Sequence, residues 1–470
     1  MMNKILIVLA ALVMATAACK KSDFLDEKPD IKLVVPKTLK DFQAILDNDR
    51  EINGIPGGQG LVPHLGETGA DNYFLLDATF NAISNPLYRN YYLWAKDVNT
   101  SNPVPDWNRP YLSIFYTNVV LDGLKTLTAG EQDTEAFRKV KGSALFYRAH
   151  AFYQLAQVFA PPYNESTASA MWGIPLRSTA DVGEKLSRAT LLETYTRILA
   201  DLQTAKGLLT IDNIIKERPS KQAAFGLLSR TCLAMMQYEK AYLYADSCLQ
   251  LKSSLSDYNN LNPDAFYSFA GSDVKAQEVI FSSIMIGPDL QIPVNIFQAK
   301  ADPDLYASYA DDDLRKVIFF APGFPSGNRF KGSYLGMDNL FAGITTDEVL
   351  LIRAEAAART NRVQIAKDDI NRLLVKRWKK GKVYPVFSSL DAEETLNFVL
   401  KERRKELVFR GLRWTDIRRL NLEGRNISIR RTISGTTYEL KPNDMNYTYP
   451  IPLQVTGFNP DMPQNPRAGQ

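Results

Sequence analysis

The chain has 470 residues, of which 45% are hydrophobic and 23% charged, the proportions of an ordinary globular protein rather than a disordered or fibrous one. A net charge of +4 over this length marks no nucleic-acid surface, so no nucleic-acid partner is expected. His64 and His150 are the only histidines, which leaves almost no ligand supply for a zinc site, and no cofactor fingerprint accompanies them.

The N-terminus reads as an export signal. A basic start (Met1-Met2-Asn3-Lys4) precedes an apolar run from Ile5 to Val13 and the small residues Ala15-Thr16-Ala17-Ala18, the layout of a cleaved signal peptide over residues 1–18. The run is shorter than the roughly 20 residues that cross a bilayer, so a spanning anchor is not expected. Cys19 stands where a bacterial lipobox carries its acylated cysteine, with Thr16 at the place where Leu is commonest. A lipid anchor on Cys19, palmitate included, is the expectation, since two acyl chains hold a protein where one binds only marginally. Residues 19–35 are polar and read as an extended, lipidated tether leading to the body.

Thr38 to Leu46 predicts a short helix capped by Thr38, with Leu39, Phe42, Ile45 and Leu46 at helical spacing. Residues 52–72 are Gly- and Pro-rich, and Tyr88 to Asn99 is an aromatic, loop-rich stretch. Longer helices are predicted over Trp107–Leu124, Thr134–Phe159 (ended by Pro161-Pro162) and Leu191–Leu209. Ser220–Met236 and Glu239–Leu251 form a pair with the small/large alternation of tetratricopeptide helices, carried by Ala224, Leu228, Leu233, Tyr238, Ala241, Ala245 and Leu249. Thr346–Arg359 and Ile365–Arg377 form a second pair, starting about 125 residues later, so this is no tandem array. The interruption, residues 253–345, is rich in Pro, Gly, Asn, Asp and aromatics, with only short strand-like runs at Glu278–Ile284 and Lys316–Phe320. Loops on a rigid scaffold are where binding usually lies. A hairpin (Ile427–Ile433 and Thr436–Leu440 around Ser434-Gly435) and Pro-rich coil close the sequence. The expected organisation is a helical region over 36–252 with ligand-facing loops, an irregular insert over 253–345, and a helical region with its tail over 346–470. Cys232 and Cys248 fall on paired helices with an axial offset of roughly 9 Å, beyond the ~7 Å that a disulfide spans, so two buried free thiols are expected.

Catalytic signatures are missing. Neither Gly-x-Ser-x-Gly nor a P-loop occurs. The glycine-rich run Gly54 to Gly60 is not followed by a helix with a basic residue, and Asp311-Asp312-Asp313 lacks the alternating ligands and closing Glu of a calcium loop. Glu402 and Glu406 lie one helical turn apart among Arg403, Arg410 and Arg413. Paired carboxylates can do acid–base work, but no histidine or nucleophile accompanies them. They read as an ion-pair network, and no catalytic residue is assigned.

Several further segments stand out: Cys19 followed by Phe24-Leu25-Asp26 and Pro29; Arg148-Ala149-His150-Ala151-Phe152-Tyr153; Gly173-Ile174-Pro175-Leu176; Ile352-Arg353-Ala354-Glu355-Ala356; Glu402-Arg403-Arg404-Lys405-Glu406-Leu407 with Gly411, Arg413, Trp414, Asp416 and Arg418; and the closing Tyr449-Pro450-Ile451-Pro452, Asn459-Pro460 and Gln464-Asn465-Pro466. Together they resemble the SusD/RagB family of outer-membrane nutrient-binding lipoproteins. Arg410 stands where the family usually has Glu, and Arg467 where it has Gly, which suggests a divergent branch.

The resemblance implies a mostly α fold: tetratricopeptide-like helix pairs form a scaffold that carries an irregular, loop-rich ligand-binding lobe and minor β hairpins. It implies a non-enzymatic lipoprotein on the outer face of the outer membrane, binding a nutrient, most often a glycan, and delivering it to a SusC-like TonB-dependent transporter. Sugars have apolar C–H faces and polar rims, which suit aromatic platforms flanked by Asn, Asp and Arg. On that ground Asp71, Asn72, Tyr73, Arg89, Trp94 and Asn99 are the candidate ligand contacts. The competing readings are a helical-repeat adaptor that binds peptides or assembles envelope proteins, and an extracellular hydrolase. The hydrolase needs an open acid pair about 5–10 Å apart. It fails if Glu402 and Glu406 are buried against arginines.

Overall fold

A computed structural model describes residues 36–55, 59–98, 100, 102–211, 214–287 and 294–468. The predicted signal peptide, Cys19, the tether and Asn99 lie outside the described residues.

Helix α1 (Leu39–Leu46) starts on Thr38, whose hydroxyl accepts from the Asp41 N–H while the Asp41 carboxylate accepts from the Thr38 N–H, so two otherwise orphaned donors are satisfied. Helices α2 (Pro105–Leu124), α3 (Glu135–Phe159) and α4 (Leu191–Leu208) follow. The hydroxyls of Thr134 and Thr190 cap α3 and α4. Every residue of α3 from Gly142 to Phe159 is buried. A helix enclosed on all sides is a central one, and α2 and α4 pack against it from two sides.

Helices α5 (Lys221–Ala234) and α6 (Tyr238–Leu251) form the first predicted pair, and α7 (Thr346–Arg359) and α8 (Val363–Arg377) the second. The pairs, distant in sequence, are neighbours in space, because α6 packs directly on α7. Ala241 and Ala245 of α6 and Ala354, Ala357 and Ala358 of α7 are buried, and small side chains let helix axes approach. Arg353 of α7 fastens the junction, donating to Asp246 of α6 at 2.7 Å and to Asp369 of α8 at 2.6 Å. Cys232 and Cys248 are both buried and free, and burial pushes each thiol up to about 12. Helices α9 (Ala392–Glu406) and α10 (Arg413–Leu422) and a hairpin, Ile429–Ile433 with Thr436–Leu440, complete the scaffold.

The irregular lobe has its own apolar core. It joins residues 258–342 to the stretch from Val62 to Tyr92 and to Val408 and Phe409. Two-residue strands link them: Tyr73 pairs with Ala301 and Phe74 with Lys300. Two strand expectations change here. Of Glu278–Ile284, only Val279–Phe281 is strand, paired with Ile344–Thr345 across an irregular register. Residues 315–319 are helical, and only Phe320–Pro322 is strand. The buried side chains Arg315, Ile318 and Phe319 explain this, since their spacing fits a helical face and not alternation.

Arg315 and Arg377 tie the lobe to the scaffold. Arg315 donates to Asp313, to Glu402 at 2.6 Å and to Glu406 at 3.0 Å. Arg377 donates to Glu406 at 2.7 Å and to Glu278 at 2.9 Å. Glu402 and Glu406 are buried. They are structural ion-pair partners and not an acid pair open to a substrate.

Candidate functional site

Four of the five tryptophans, Trp94, Trp107, Trp378 and Trp414, are at most 8% exposed, whereas Trp172 is 46% exposed. Trp172 lines a cleft of about 320 Å³ with Asn164, Met171, Asn443, Asp444 and Gln464. An open indole beside a polar rim is what a sugar ring requires, an apolar face for C–H groups and hydrogen-bonding groups around its edge.

The loop holding Trp172 is built by local chemistry. Pro161 and Pro162 end α3, since proline cannot continue the hydrogen-bond ladder. The chain then returns through Gly173, whose N–H donates to Ala189 O at 2.8 Å. A Cβ on Gly173 would lie 2.0 Å from Thr194 Oγ1 and 2.7 Å from Thr190 O, so only glycine allows this approach to α4. Arg188 then fixes the loop. Its Nε donates to Gly173 O at 2.8 Å, its Nη2 to Trp172 O at 3.1 Å and to Phe159 O, and its Nη1 to Pro463 O and Asn465 Oδ1.

The floor of the cleft is a capped helix end. Arg418 of α10 donates to Gln157 O and Ala160 O, and Asn465 Nδ2 donates to Phe159 O at 2.8 Å. These carbonyls at the C-terminus of α3 have no intrahelical partners and carry the negative end of the helix dipole, which guanidinium groups complement. Burial with only uncharged acceptors brings Arg188 and Arg418 down to about 10. At the rim Asn164 Oδ1 accepts from Ser166, and Asp444 Oδ1 from the Asn446 N–H. The cleft thus joins two segments of the resemblance, Arg418 and Gln464 to Pro466, to Trp172, which directly precedes a third, Gly173 to Leu176.

The described residues expected from sequence to contact ligand lie elsewhere, with Asn72, Tyr73 and Trp94 buried and Asp71 and Arg89 partly so. Asp71 accepts from Arg413 Nε at 2.7 Å and Nη2 at 2.8 Å, and these pairings hold its carboxyl well below the usual carboxylate range against the opposing pull of burial. Asn72 Nδ2 donates to Glu67 Oε1 at 2.6 Å, and Tyr73 OH to Thr68 O at 3.0 Å. Trp94 has no open stacking face. Its ring is fully enclosed, its Nε1 donates to Gly69 O at 2.9 Å, and the Arg431 guanidinium lies 4.5 Å from its centre. Arg89 is half-buried and donates to Ile83 O at 3.0 Å. In this arrangement Asp71, Asn72, Tyr73 and Trp94 join the N-terminal loops to the Arg413 and Arg431 segments. Trp172 is a candidate that the sequence reading did not single out, and its signal there is Met171-Trp172, two large apolar residues just before a turn glycine.

Among the described residues no group of three or more His, Cys, Asp or Glu side chains is placed to hold a metal, and no helix is long and apolar enough to cross a membrane. His64 lies 3.3 Å from Asp106 and 2.9 Å from Thr68 Oγ1, but all of these groups are buried away from any cleft.

Comparison with known proteins gives one consistent answer. A SusD-like family model, described as starch-binding and associating with the outer membrane, matches residues 23–233, and the SusD family model matches residues 346–467. The SusD-like protein P2 of Formosa agariphila is 24% identical over 422 aligned residues, covering 77% of this chain and 79% of that one. A SusD superfamily structure from Bacteroides vulgatus superposes with a TM-score of 0.72 at 20% identity, over 93% of this chain and 100% of that one. A SusD-like carbohydrate binding protein from the same species superposes with a TM-score of 0.66 at 19% identity, over 91% and 98%. The helix pairs, the lobe and their connection are therefore a shared fold.

Proposed function

We propose, since the chain belongs to the SusD/RagB family, that it is a surface-exposed outer-membrane lipoprotein that binds a glycan in the Trp172 cleft and delivers it to a TonB-dependent transporter. The exposure of Trp172 beside Asn164, Asn443 and Asp444 carries this reading. The family description of starch binding and outer-membrane association supports the ligand class and the location. Cys19 supplies the anchor, and the polar residues 19–35 let the body reach a transporter. Asp71, Asn72, Tyr73 and Trp94 serve this site by holding the loops and the closing segment around Asn446 and Arg467 in place.

Calorimetric titration against glycan and peptide panels tests the proposal. A glycan should bind, and Trp172→Ala should weaken it about tenfold, the loss of roughly 1.4 kcal/mol of stacking. Binding of peptides and no glycan, or glycan binding indifferent to Trp172→Ala, would overturn it.

A further inference from the structure

A second cavity, about 410 Å³ in volume, opens where α2, α3 and α4 meet and is lined by Leu121, Leu124, Phe137, Leu145, Lys141 and Arg197. Its charges do not balance. Arg148, also on the wall, takes both oxygens of Asp201 at 2.8 and 2.9 Å and uses its remaining nitrogen on Asn118. Arg197 is left 3.8 Å from the same carboxylate, beyond hydrogen-bonding distance, and its buried Nε has no acceptor. Lys141 rests over the Phe137 ring at 5.7 Å and is paired with no carboxylate among the described residues. The other nearby charges are spoken for: Lys125 pairs with Asp122 at 2.6 Å, and Glu184 accepts from Thr179 at 3.0 Å. Lys141, with no carboxylate partner among the described residues, and Arg197, whose Nε lacks an acceptor and which shares Asp201 with Arg148, thus face a cavity with aliphatic walls.

A half-buried guanidinium with unused donors is costly unless an acceptor arrives, and a phosphate group matches its geometry. A bare anion would fill little of this volume, and leucine walls suit an alkyl chain better than a sugar ring. We propose that this cavity binds an anionic amphiphile, a phosphate headgroup held by Arg197 and Lys141 with its aliphatic chain along Leu121, Leu124 and Leu145. Burial lowers the Arg197 pKa, with Asp201 opposing the shift and Arg148 adding to it. The site is separate from the Trp172 cleft and does not depend on the glycan reading.

The test uses a short-chain monoacylglycerol phosphate below its micelle concentration, with inorganic phosphate and the uncharged monoacylglycerol as separate arms, titrated into the full chain. The phosphorylated amphiphile should bind, more weakly as salt rises. Arg197→Gln and Lys141→Gln should each weaken it about tenfold, with unchanged melting temperatures and unchanged glycan binding. Equal binding of the uncharged monoacylglycerol would show a merely apolar hole, and equal binding of inorganic phosphate a plain anion hole. Either result, or indifference to both substitutions, would overturn the proposal.

Discussion

Arg413 grips Asp71 with two parallel hydrogen bonds of 2.7 and 2.8 Å, and the two residues are 342 positions apart in the chain. The pair is largely buried, and Arg404 adds a second cation 3.3 Å from the same carboxylate. Planar bidentate pairing of this kind is strong, and losing one partner strands the other charge.

Asp71→Asn should therefore lower unfolding stability by about 2–4 kcal/mol, read from urea denaturation at neutral pH. Because the folded carboxyl titrates below its ordinary value, its contribution is fully present above that value and is lost as pH falls below about 4. The wild-type protein should lose stability across that acid range, and Asp71→Asn should lose less.

Glu67 behaves in the opposite sense. It is fully buried and accepts from Asn72 Nδ2 and the Gly411 N–H, and burial raises it from 4.5 to about 7. The native state binds this proton more readily than the unfolded chain does, so stability is highest below pH 4.5 for this group and falls as pH rises through 7. Glu67→Gln should flatten that slope and stabilise the protein by about 1–3 kcal/mol at pH 8. Asn72 Oδ1, which has no donor in the structure, offers the new amide an acceptor once the Asn72 amide turns over. Equal pH profiles for the two proteins would refute the assignment.

Arg188 is a positioning residue for the cleft. Arg188→Gln should cost stability, since each buried carbonyl left unpaired costs about 1–3 kcal/mol, and it should also abolish glycan binding by releasing Trp172 and Asn465 together. Arg188→Lys should restore only part of the affinity, because one ammonium cannot reach carbonyls spread around a planar guanidinium.

Glu406→Gln should behave as a structural lesion. It removes a carboxylate shared by Arg315 and Arg377, with an expected loss of about 3–5 kcal/mol. A bound oligosaccharide incubated with wild-type protein should be recovered intact by chromatography, and cleavage products lost in Glu406→Gln would revive the hydrolase reading.

Thiol labelling checks the cysteines. Cys232 and Cys248 should not react with a thiol reagent in the native state and should both react after denaturation. Intact mass separately tests the proposed acylation of Cys19, which an unmodified Cys19 would overturn.

What could be read from sequence is what is decided locally. Thr38, Thr134, Thr190 and Ser220 cap the helices that follow them, and each cap depends on a few adjacent residues. The short helix Pro86–Tyr92 was equally legible, with Asn85 accepting from the Leu87 N–H and proline in its first turn, yet its aromatic composition suggested a loop. The candidate site was not legible, because no chain neighbour of Trp94 or Trp172 decides whether its indole is enclosed or open. What separates them is distant: Arg431 and Gly69 enclose Trp94, while Arg188 and Asn465 hold the Trp172 loop with its indole open. Ligand-facing exposure is set by those long-range contacts.

The direct packing of α6 on α7 has a consequence for how this chain can change over time. Residues 253–345 leave the stack at Lys252 and return at Thr346. Both ends meet the same strand, Lys252 Nζ donating to Val279 O and Thr346 Oγ1 to Glu278 O beside it. The excursion thus begins and ends at one doorway. Doubling the length of such a closed excursion costs only about 0.6 kcal/mol of chain entropy. Insertions and deletions within the lobe, away from Arg315 and the strand pairs, can accumulate almost without penalty while the helical stack stays in register. One frame can in this way host lobes of very different outline.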